Sequence, residues 1–341
     1  KNRRLKRLYK TAHRFVDNVS HEFRTPLTVI KDYISLIRDG LVGEVSQQQR
    51  QMLDVASVRA DDLNNMVDDM LDVSKLESGT LGAWRRDCHV KDIVEQVIPA
   101  LAQKAGVKGI AFNENIPADL PAVYCDADKI GRVIINLVTN AMKFCGEPGD
   151  VTLWAKLNAD AGEVVMGVTD NGAGIDAEQL KQIVKRFKQL KQNIKSSTKG
   201  FGLGLNIARE LVDLNLGEMH VESQPNCGST FSFSIPLALP QGVLVRYARR
   251  ATNRSRISLI EANLDESVTA AEAEDADSFI NFLLRRNDLL FRADTRRLLI
   301  VLSTGEAEVQ KYVTRAHAEL AKANHNRPYE PLPQIAMALL G

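Results

Sequence analysis

Cysteine is scarce in this chain. Only four occur in 341 residues, at positions 88, 125, 145 and 227, with no paired spacing. That excludes a disulfide-knit secreted scaffold and a zinc site of the Cys-x-x-Cys kind, and it points to reduced cytosolic thiols. Long apolar runs are also missing, so no segment reads as a membrane-spanning helix. Charge of one sign is missing too: 44 Lys and Arg face 43 Asp and Glu, for a net charge of +1. Nothing global therefore draws the chain to nucleic acid or to a membrane surface, and no direct nucleic-acid partner is expected. The local exception is residues 1–10, with six basic side chains and no acid. Leu5, Leu8, Ala12 and Phe15 carry a helical spacing through that run, as in a coiled coil entering a bundle. The chain starts at Lys1 without Met or signal peptide, so a cytoplasmic fragment with its sensor upstream is expected.

Apolar residues recur at Val16, Val19, Phe23, Leu27, Ile30, Ile34 and Ile37. Steps of three and four mark an amphipathic helix. His21 lies two residues from both Val19 and Phe23, so at roughly 100° per residue it falls opposite the stripe, towards solvent. Thr25 follows at i+4 on that outer face, and Glu22 is adjacent to the ring. Pro26 cannot donate to the carbonyl of Glu22, which predicts a kink or loosening there. After a break at Asp39-Gly40 and Gly43, a second helix has an apolar face of Met52, Ala56, Leu63, Met66, Met70 and Val73. One such hairpin buries its two stripes poorly and two bury them well, so a homodimeric four-helix bundle is expected.

The stretch His21-Glu22-Phe-Arg-Thr25-Pro26 resembles the phosphoacceptor (HisKA) motif of sensor histidine kinases of two-component systems. The resemblance implies that His21 accepts the γ-phosphoryl group of ATP and that Glu22 is the general base. It gives Thr25 the role of orienting water in the reverse, phosphatase reaction towards the partner.

Downstream, helical and strand patterns alternate over residues 88–238. Helices are predicted at Val90–Ala105, Asp126–Phe144 and Leu203–Leu214. Strands are predicted at Gly109–Ile116, Val151–Leu157, Glu163–Thr169, Met219–Ser223 and Ser229–Pro236. The sum is a mixed sheet covered by helices, an α/β sandwich. Asn136, Asn140 and Lys143 fall at i, i+4 and i+7 on one helix face, with Phe144 next to them. Amide oxygens suit Mg²⁺ and lysine suits phosphate. Asp170-Asn-Gly172-Ala-Gly174 follows a strand, where a carboxylate can accept the exocyclic amine hydrogen of adenine and glycines let backbone approach a ligand. Gly200-Phe-Gly202-Leu203-Gly204-Leu205 opens a helix, whose free N–H groups favour phosphate. Taken singly, these have ordinary readings: a polar helix face, an Asx turn and a glycine-rich loop.

In this order the three resemble the ATP-binding (HATPase) domain of histidine kinases, within the Bergerat (GHKL) ATPase class that includes gyrase and Hsp90-like proteins. The resemblance covers roughly residues 12–238. It implies ATP and Mg²⁺ as cofactors, with Asn140 on the metal and Asn136 beside it. Lys143 then contacts phosphate, Asp170 reads adenine, Gly172 and Gly174 shape the pocket, and Gly200, Gly202 and Gly204 bound a lid. Leu216-Gly217-Glu218 and Gly228-Ser-Thr-Phe231 match the family's closing strands. The segment Lys185-Arg-Phe187-Lys-Gln-Leu190 matches its Phe-containing lid motif only loosely, and the lid is rich in lysine. The family implies a separate response regulator receiver domain as phosphoryl acceptor, because no convincing receiver stands in this chain.

About 100 residues remain. Strands are predicted at Ile257–Ala262, Leu289–Arg292, Arg297–Leu302 and Gln334–Leu340. An acidic, alanine-rich stretch Ala270–Ser278 precedes a helix end at Phe279–Arg286, and Glu306–Ala323 is helical. This reads as a small α/β domain. Arg285-Arg-Asn-Asp288-Leu-Leu-Phe-Arg292 resembles the run into the signature of diguanylate cyclase (GGDEF) domains. Asp294-Thr-Arg-Arg297-Leu stands where that signature belongs, so the resemblance is to a degenerate, non-catalytic copy. Arg285 and Asp288 match the family's Arg-x-x-Asp site for cyclic di-GMP, though an Arg–Asp pair at a helix end needs no ligand. The expected organisation is 1–78 coiled-coil entry and phosphotransfer hairpin, 79–88 linker, 89–239 ATP-binding domain and 240–341 tail domain. The expected function is ATP-dependent autophosphorylation on His21, transfer to a response regulator aspartate, and phosphatase activity. The alternatives are a pseudokinase scaffold or a cyclic di-GMP-responsive binding module.

Overall fold

The computed structural model describes residues 22–23, 25–78, 82–189, 203–251, 257–265, 267–285, 288–327 and 330–340. Helix α1 runs through residues 25–38 and stays helical across Pro26. After a turn over residues 39–43 comes α2, Gln47–Ser78. A capping box starts α2: Gln49 N–H donates to Ser46 Oγ at 3.2 Å, and Ser46 N–H donates to Gln49 Oε1 at 2.9 Å. Lys31 Nζ donates to Asp61 Oδ1 at 2.7 Å, pinning the two helices into the expected hairpin. Leu27, Val58, Val67 and Leu71 are buried. Phe23, Ile30, Ile37, Met52, Leu63 and Met66 are not, with 40–68 % of their surface open in the single chain. Among the described residues of the predicted stripes only Leu27 is buried, and the buried side of α2 carries Val58, Val67 and Leu71 in place of the predicted Met52, Leu63 and Met66.

Strand β1 (Arg86–Cys88) leads into helix α3 (Val90–Lys108), then β2 (Ala111–Asn115), β3 (Val123–Cys125) and helix α4 (Ala127–Phe144). Strands β4 (Asp150–Asn158) and β5 (Glu163–Asp170) follow, then helices α5 (Ala177–Gln189) and α6 (Leu203–Leu214), and strands β6 (Met219–Ser223) and β7 (Ser229–Pro236). Five strands form one sheet in the order β2-β4-β5-β7-β6, parallel only at β2–β4. β1 and β3 make a separate antiparallel pair. Helix α4 packs against α3 and α6 and lies over β4 and β5. Ile130, Ile134 and Leu137 on α4 meet Leu153, Met166, Phe233 and Ile235 of the sheet, all fully buried. Each such side chain contributes roughly 1.5–3 kcal/mol. The predicted sandwich is therefore present. Its elements differ from expectation at Lys108, where α3 extends one turn further, and at β1, β3 and α5, which were not foreseen.

The tail begins with α7 (Pro240–Ala251), also unforeseen, then β8 (Ser258–Leu264), α8 (Ala270–Leu283), β9 (Leu289–Arg292), β10 (Arg297–Leu302), α9 (Glu306–Asn326) and β11 (Ile335–Leu339). A capping box of Thr269 and Glu272 starts α8, which merges the acidic stretch and the predicted helix end into one helix. The sheet order is β11-β8-β10-β9, antiparallel throughout. With the order β-α-β-β-α-β, this is a split βαβ domain of ferredoxin-like topology.

Its sheet is covered on both faces. Ile260, Leu290, Leu298, Ile300 and Leu302 pack with α8 and α9. Leu289, Phe291 and Val301 form a second cluster with Val243 and Tyr247 of α7 and with Tyr124 and Leu216 of the five-stranded unit. Tyr124 stacks on Phe291 with ring centroids 4.9 Å apart, and its hydroxyl donates to Leu290 O. Arg85 is 8 % exposed and donates from Nε to Leu214 O at 2.6 Å and from Nη1 to Asp288 O at 3.3 Å. Arg246 on α7 reaches Glu163 at 2.6 Å, and Arg250 reaches Gly217 O at 2.6 Å. The tail and the five-stranded unit therefore share a core. Phe291→Ala is expected to destabilise the protein by about 3–5 kcal/mol, the usual cost of emptying a buried aromatic position. Urea denaturation of the full chain measures this.

Candidate functional site

Asp126 sets helix α4 in place. Its Oδ1 accepts from Lys129 N at 3.1 Å, its Oδ2 accepts from Trp84 N at 2.7 Å, and its own N–H donates to Asn215 Oδ1 at 2.7 Å. The apolar side of α4 is buried, so Asn136 and Asn140 emerge half-buried on the other side, with Lys143 and Phe144 exposed at its end. Asn136 Nδ2 donates to Gly204 O at 3.2 Å, in the first turn of α6. The Lys143 ammonium lies 5.0 Å from the centre of the Phe144 ring.

Asp170 ends β5 at 7 % exposure. Its Oδ1 accepts from Gly172 N at 2.9 Å. Burial pushes its carboxyl above the usual range, and the amides of Gly172 and Ser229 oppose that shift. A Cβ on Gly172 would stand 2.0 Å from Phe144 O, so the turn presses directly on the end of α4. Gly174 has φ +69°, and a Cβ there would stand 2.0 Å from Gln224 O. Asn171 ties the same corner: its Oδ1 accepts from Gly146 N and Asp150 N, and its Nδ2 donates to Pro148 O at 2.7 Å. Ile175 N donates to Ser223 Oγ at 2.8 Å, joining the turn to β6.

The structure sets Asn136 against Gly204, Gly172 against Asp170 and the end of α4, and Gly174 against Gln224. Asn140, Lys143 and Phe144 follow Asn136 along α4. Leu203 opens α6. His21, Gly200 and Gly202 lie outside the described residues. Glu22 and Thr25 are exposed on the hairpin. Among the described residues no cluster of three His, Cys, Asp or Glu could hold a metal, and no helix is long and apolar enough to cross a membrane.

Two domain families match this chain. Residues 11–79 match the His Kinase A (phospho-acceptor) domain, and residues 125–239 match the histidine kinase-, DNA gyrase B-, and HSP90-like ATPase. The chain thus carries a histidine kinase phospho-acceptor domain and a histidine kinase-like ATPase domain. The non-motile and phage-resistance protein of Caulobacter vibrioides is 31% identical over 232 residues, 67% of this chain and 27% of that protein. The signal transduction histidine-protein kinase BarA of Escherichia coli K12 is 32% identical over 254 residues, 73% of this chain and 27% of BarA. This chain therefore spans about a quarter of these relatives' length. Among solved structures, full-length ShkA in complex with AMPPNP aligns at a TM-score of 0.47 and 26% identity, over 66% of this chain and 46% of that one.

Sequence reasoning missed Asn171 and Asp126, which shape the site through backbone contacts; the Asp-Asn-Gly turn and the Asp before a helix were their only signals. In the tail, Asp288 is 5 % exposed and turned inward. Its Oδ2 accepts from Arg285 N at 2.8 Å and its Oδ1 from Ser303 N at 3.2 Å. A cleft of about 350 Å³ separates it from the linker, lined by Trp84, Arg86, Lys129 and Arg285 among others.

Two outcomes are expected. Gly172→Ala should destabilise the protein by about 1–3 kcal/mol because backbone must move, whereas Gly106→Ala, in open space within α3, should be neutral or stabilising by up to about 1 kcal/mol; denaturant titration of both variants compares them. Asp170 makes stability fall as pH rises from about 3.9, its unfolded value, because the native state still holds the proton. The decline ends at the raised native value. Asp170→Asn should flatten that slope in melts taken from about pH 4 upward.

Proposed function

We propose that this chain transfers the γ-phosphoryl group of ATP to His21 and passes it to an aspartate on a response regulator receiver domain. The observation that carries the reading is the pairing, in one chain, of an acid and hydroxyl at Glu22 and Thr25 beside His21 with the Asn136–Gly204 contact on α4 and the Asp170–Gly172 turn at the end of β5. Glu22 takes the imidazole proton as His21 attacks, neutral imidazole being nucleophilic near pH 7. Asp170 reads the adenine amine, and Gly172 and Gly174 leave room for the base. Asn140, with Asn136 beside it, supplies amide oxygen to Mg²⁺, and Lys143 meets phosphate. The lack of a carboxylate cage among the described residues fits an ion that is held largely by phosphates. Mg²⁺ supplies charge neutralisation when bound, and the chain's own residues supply alignment. Gly200, Gly202 and Leu203 bound the lid.

The uncovered stripe of Phe23, Ile30, Ile37, Leu63 and Met66 supports a homodimeric four-helix bundle. Thr25 serves the phosphatase reaction by orienting water. The protein works in the cytoplasm. The split βαβ tail is a degenerate cyclase-like domain that regulates or docks. A second reading, binding of cyclic di-GMP through Arg285 and Asp288, draws support from their place on the cleft; the inward carboxylate of Asp288 weighs against it. A pseudokinase reading loses ground because His21, Glu22, Asn140 and Asp170 are all intact.

With labelled Mg-ATP, His21→Ala should give no labelled protein, and labelling that persists would sink the mechanism. Glu22→Gln should slow labelling by roughly 10²–10⁴-fold at unchanged ATP affinity. Asp170→Asn should instead weaken ATP binding, by about 10- to 100-fold, as befits a lost charge-assisted hydrogen bond.

A further inference from the structure

Cys88 and Cys125 are remote in sequence and adjacent in space. In the β1–β3 ladder Cys88 faces Val123 and Cys125 faces Arg86, so the two cysteines are diagonal neighbours on one face. Cys88 Sγ donates to Cys125 O at 3.5 Å. Their surroundings differ. Cys125 is fully buried, whereas Cys88 is half-buried and open to a small reagent. The neighbouring Cys125 and the guanidinium of Arg86 pull the Cys88 thiol below its usual range against the effect of burial. Cys125 moves the other way, through its nearness to Cys88 and through burial. One sulfur is thus the more exposed and the more readily ionised, and its neighbour is held as the reserve thiol. This division of labour suits stepwise oxidation.

We propose that Cys88 and Cys125 form a reversible dithiol switch that responds to hydroperoxides. The Cys88 thiolate attacks the terminal peroxide oxygen and breaks the O–O bond. The leaving alkoxide or hydroxide takes a proton, and Cys88 becomes a sulfenic acid. Cys125 sulfur then attacks Cys88 sulfur; its proton and the sulfenic hydroxyl depart together as water, leaving a disulfide. Two thiols lose two electrons and the peroxide gains them. A small dithiol reverses the change by exchange.

Diagonal strand neighbours stand roughly 7–8 Å apart at Cα, whereas a disulfide holds Cα atoms at about 4.4–6.8 Å. Bond formation therefore draws β1 towards β3. That movement acts where the chain coming from α2 enters the ATPase domain. Arg85, next to β1, holds Leu214 O and Asp288 O, and Asp126, next to Cys125, holds Trp84 N. Oxidation thus tightens the junction of linker, ATPase domain and tail.

The test treats the full chain with hydrogen peroxide, digests it with trypsin and maps linked peptides by mass spectrometry. The expected product joins residues 87–91 to residues 109–129, disappears on dithiothreitol treatment and is absent from Cys88→Ser. In Cys125→Ser, dimedone should label Cys88 as sulfenic acid; in Cys88→Ser it should leave Cys125 unlabelled. Amide exchange at residues 86–88 should slow in the oxidised form. The proposal is overturned if exposed Cys227 oxidises while no 88–125 link forms, or if the link forms and exchange at residues 86–88 does not change.

Discussion

The cap on helix α4 is the constraint from which the rest follows. One carboxylate, Asp126, closes the first turn of α4, receives the linker backbone at Trp84 and pairs with Lys129, while its own amide is held by Asn215 at the end of α6. The apolar side of α4 is clamped between the sheet and neighbouring helices, so its rotation about its own axis has no freedom. The amide face of Asn136 and Asn140 is therefore aimed by burial on the opposite side. At its far end, the corner made by Asn171 and Gly172 fixes where α4 stops relative to Asp170. The candidate pocket is the space left over once those two ends are tied.

The junction with the tail is built by a different balance. A buried guanidinium ordinarily incurs a large desolvation cost. Arg85 offsets it with carbonyl partners from two units, and the aromatic pair Tyr124 and Phe291 adds apolar area beside it. Neither unit alone completes this arrangement. Arg246 and Arg250 extend it along α7 with bonds to Glu163, Asp213 and Gly217. The contact has the polar satisfaction and the burial of a domain interior, so the tail rides on the ATPase domain as part of it.

The long elements were legible because their periods are long. Helix α4 announces itself by an apolar side and an Asn-x-x-x-Asn side over five turns, and β4, β5 and β7 are runs of eight or nine residues, alternating at first and then, in β5 and β7, buried on both faces. Strands β1 and β3 have three residues each, too few for a period, and pair only because their backbones meet. Helix α5 was hidden by its lysines, which read as a solvated loop. Asn136 and Asn140 share the half-buried side of α4 and Asp170 closes β5, because helix face and strand end are local properties. The contact between Cys88 and Cys125 and the inward turn of Asp288 were illegible, because each depends on a neighbour brought in by the fold.

The shared core also has a consequence for biosynthesis. Tyr124 and Leu216 are covered by Leu289, Phe291 and Val301, which lie far later in the chain. At roughly 5–20 residues per second, a ribosome needs several seconds to pass from Pro236 to Val301. Throughout that interval the ATPase domain can already be outside the exit tunnel with a greasy face bare. The nascent chain then offers a holdase chaperone a target that vanishes when the last strands arrive.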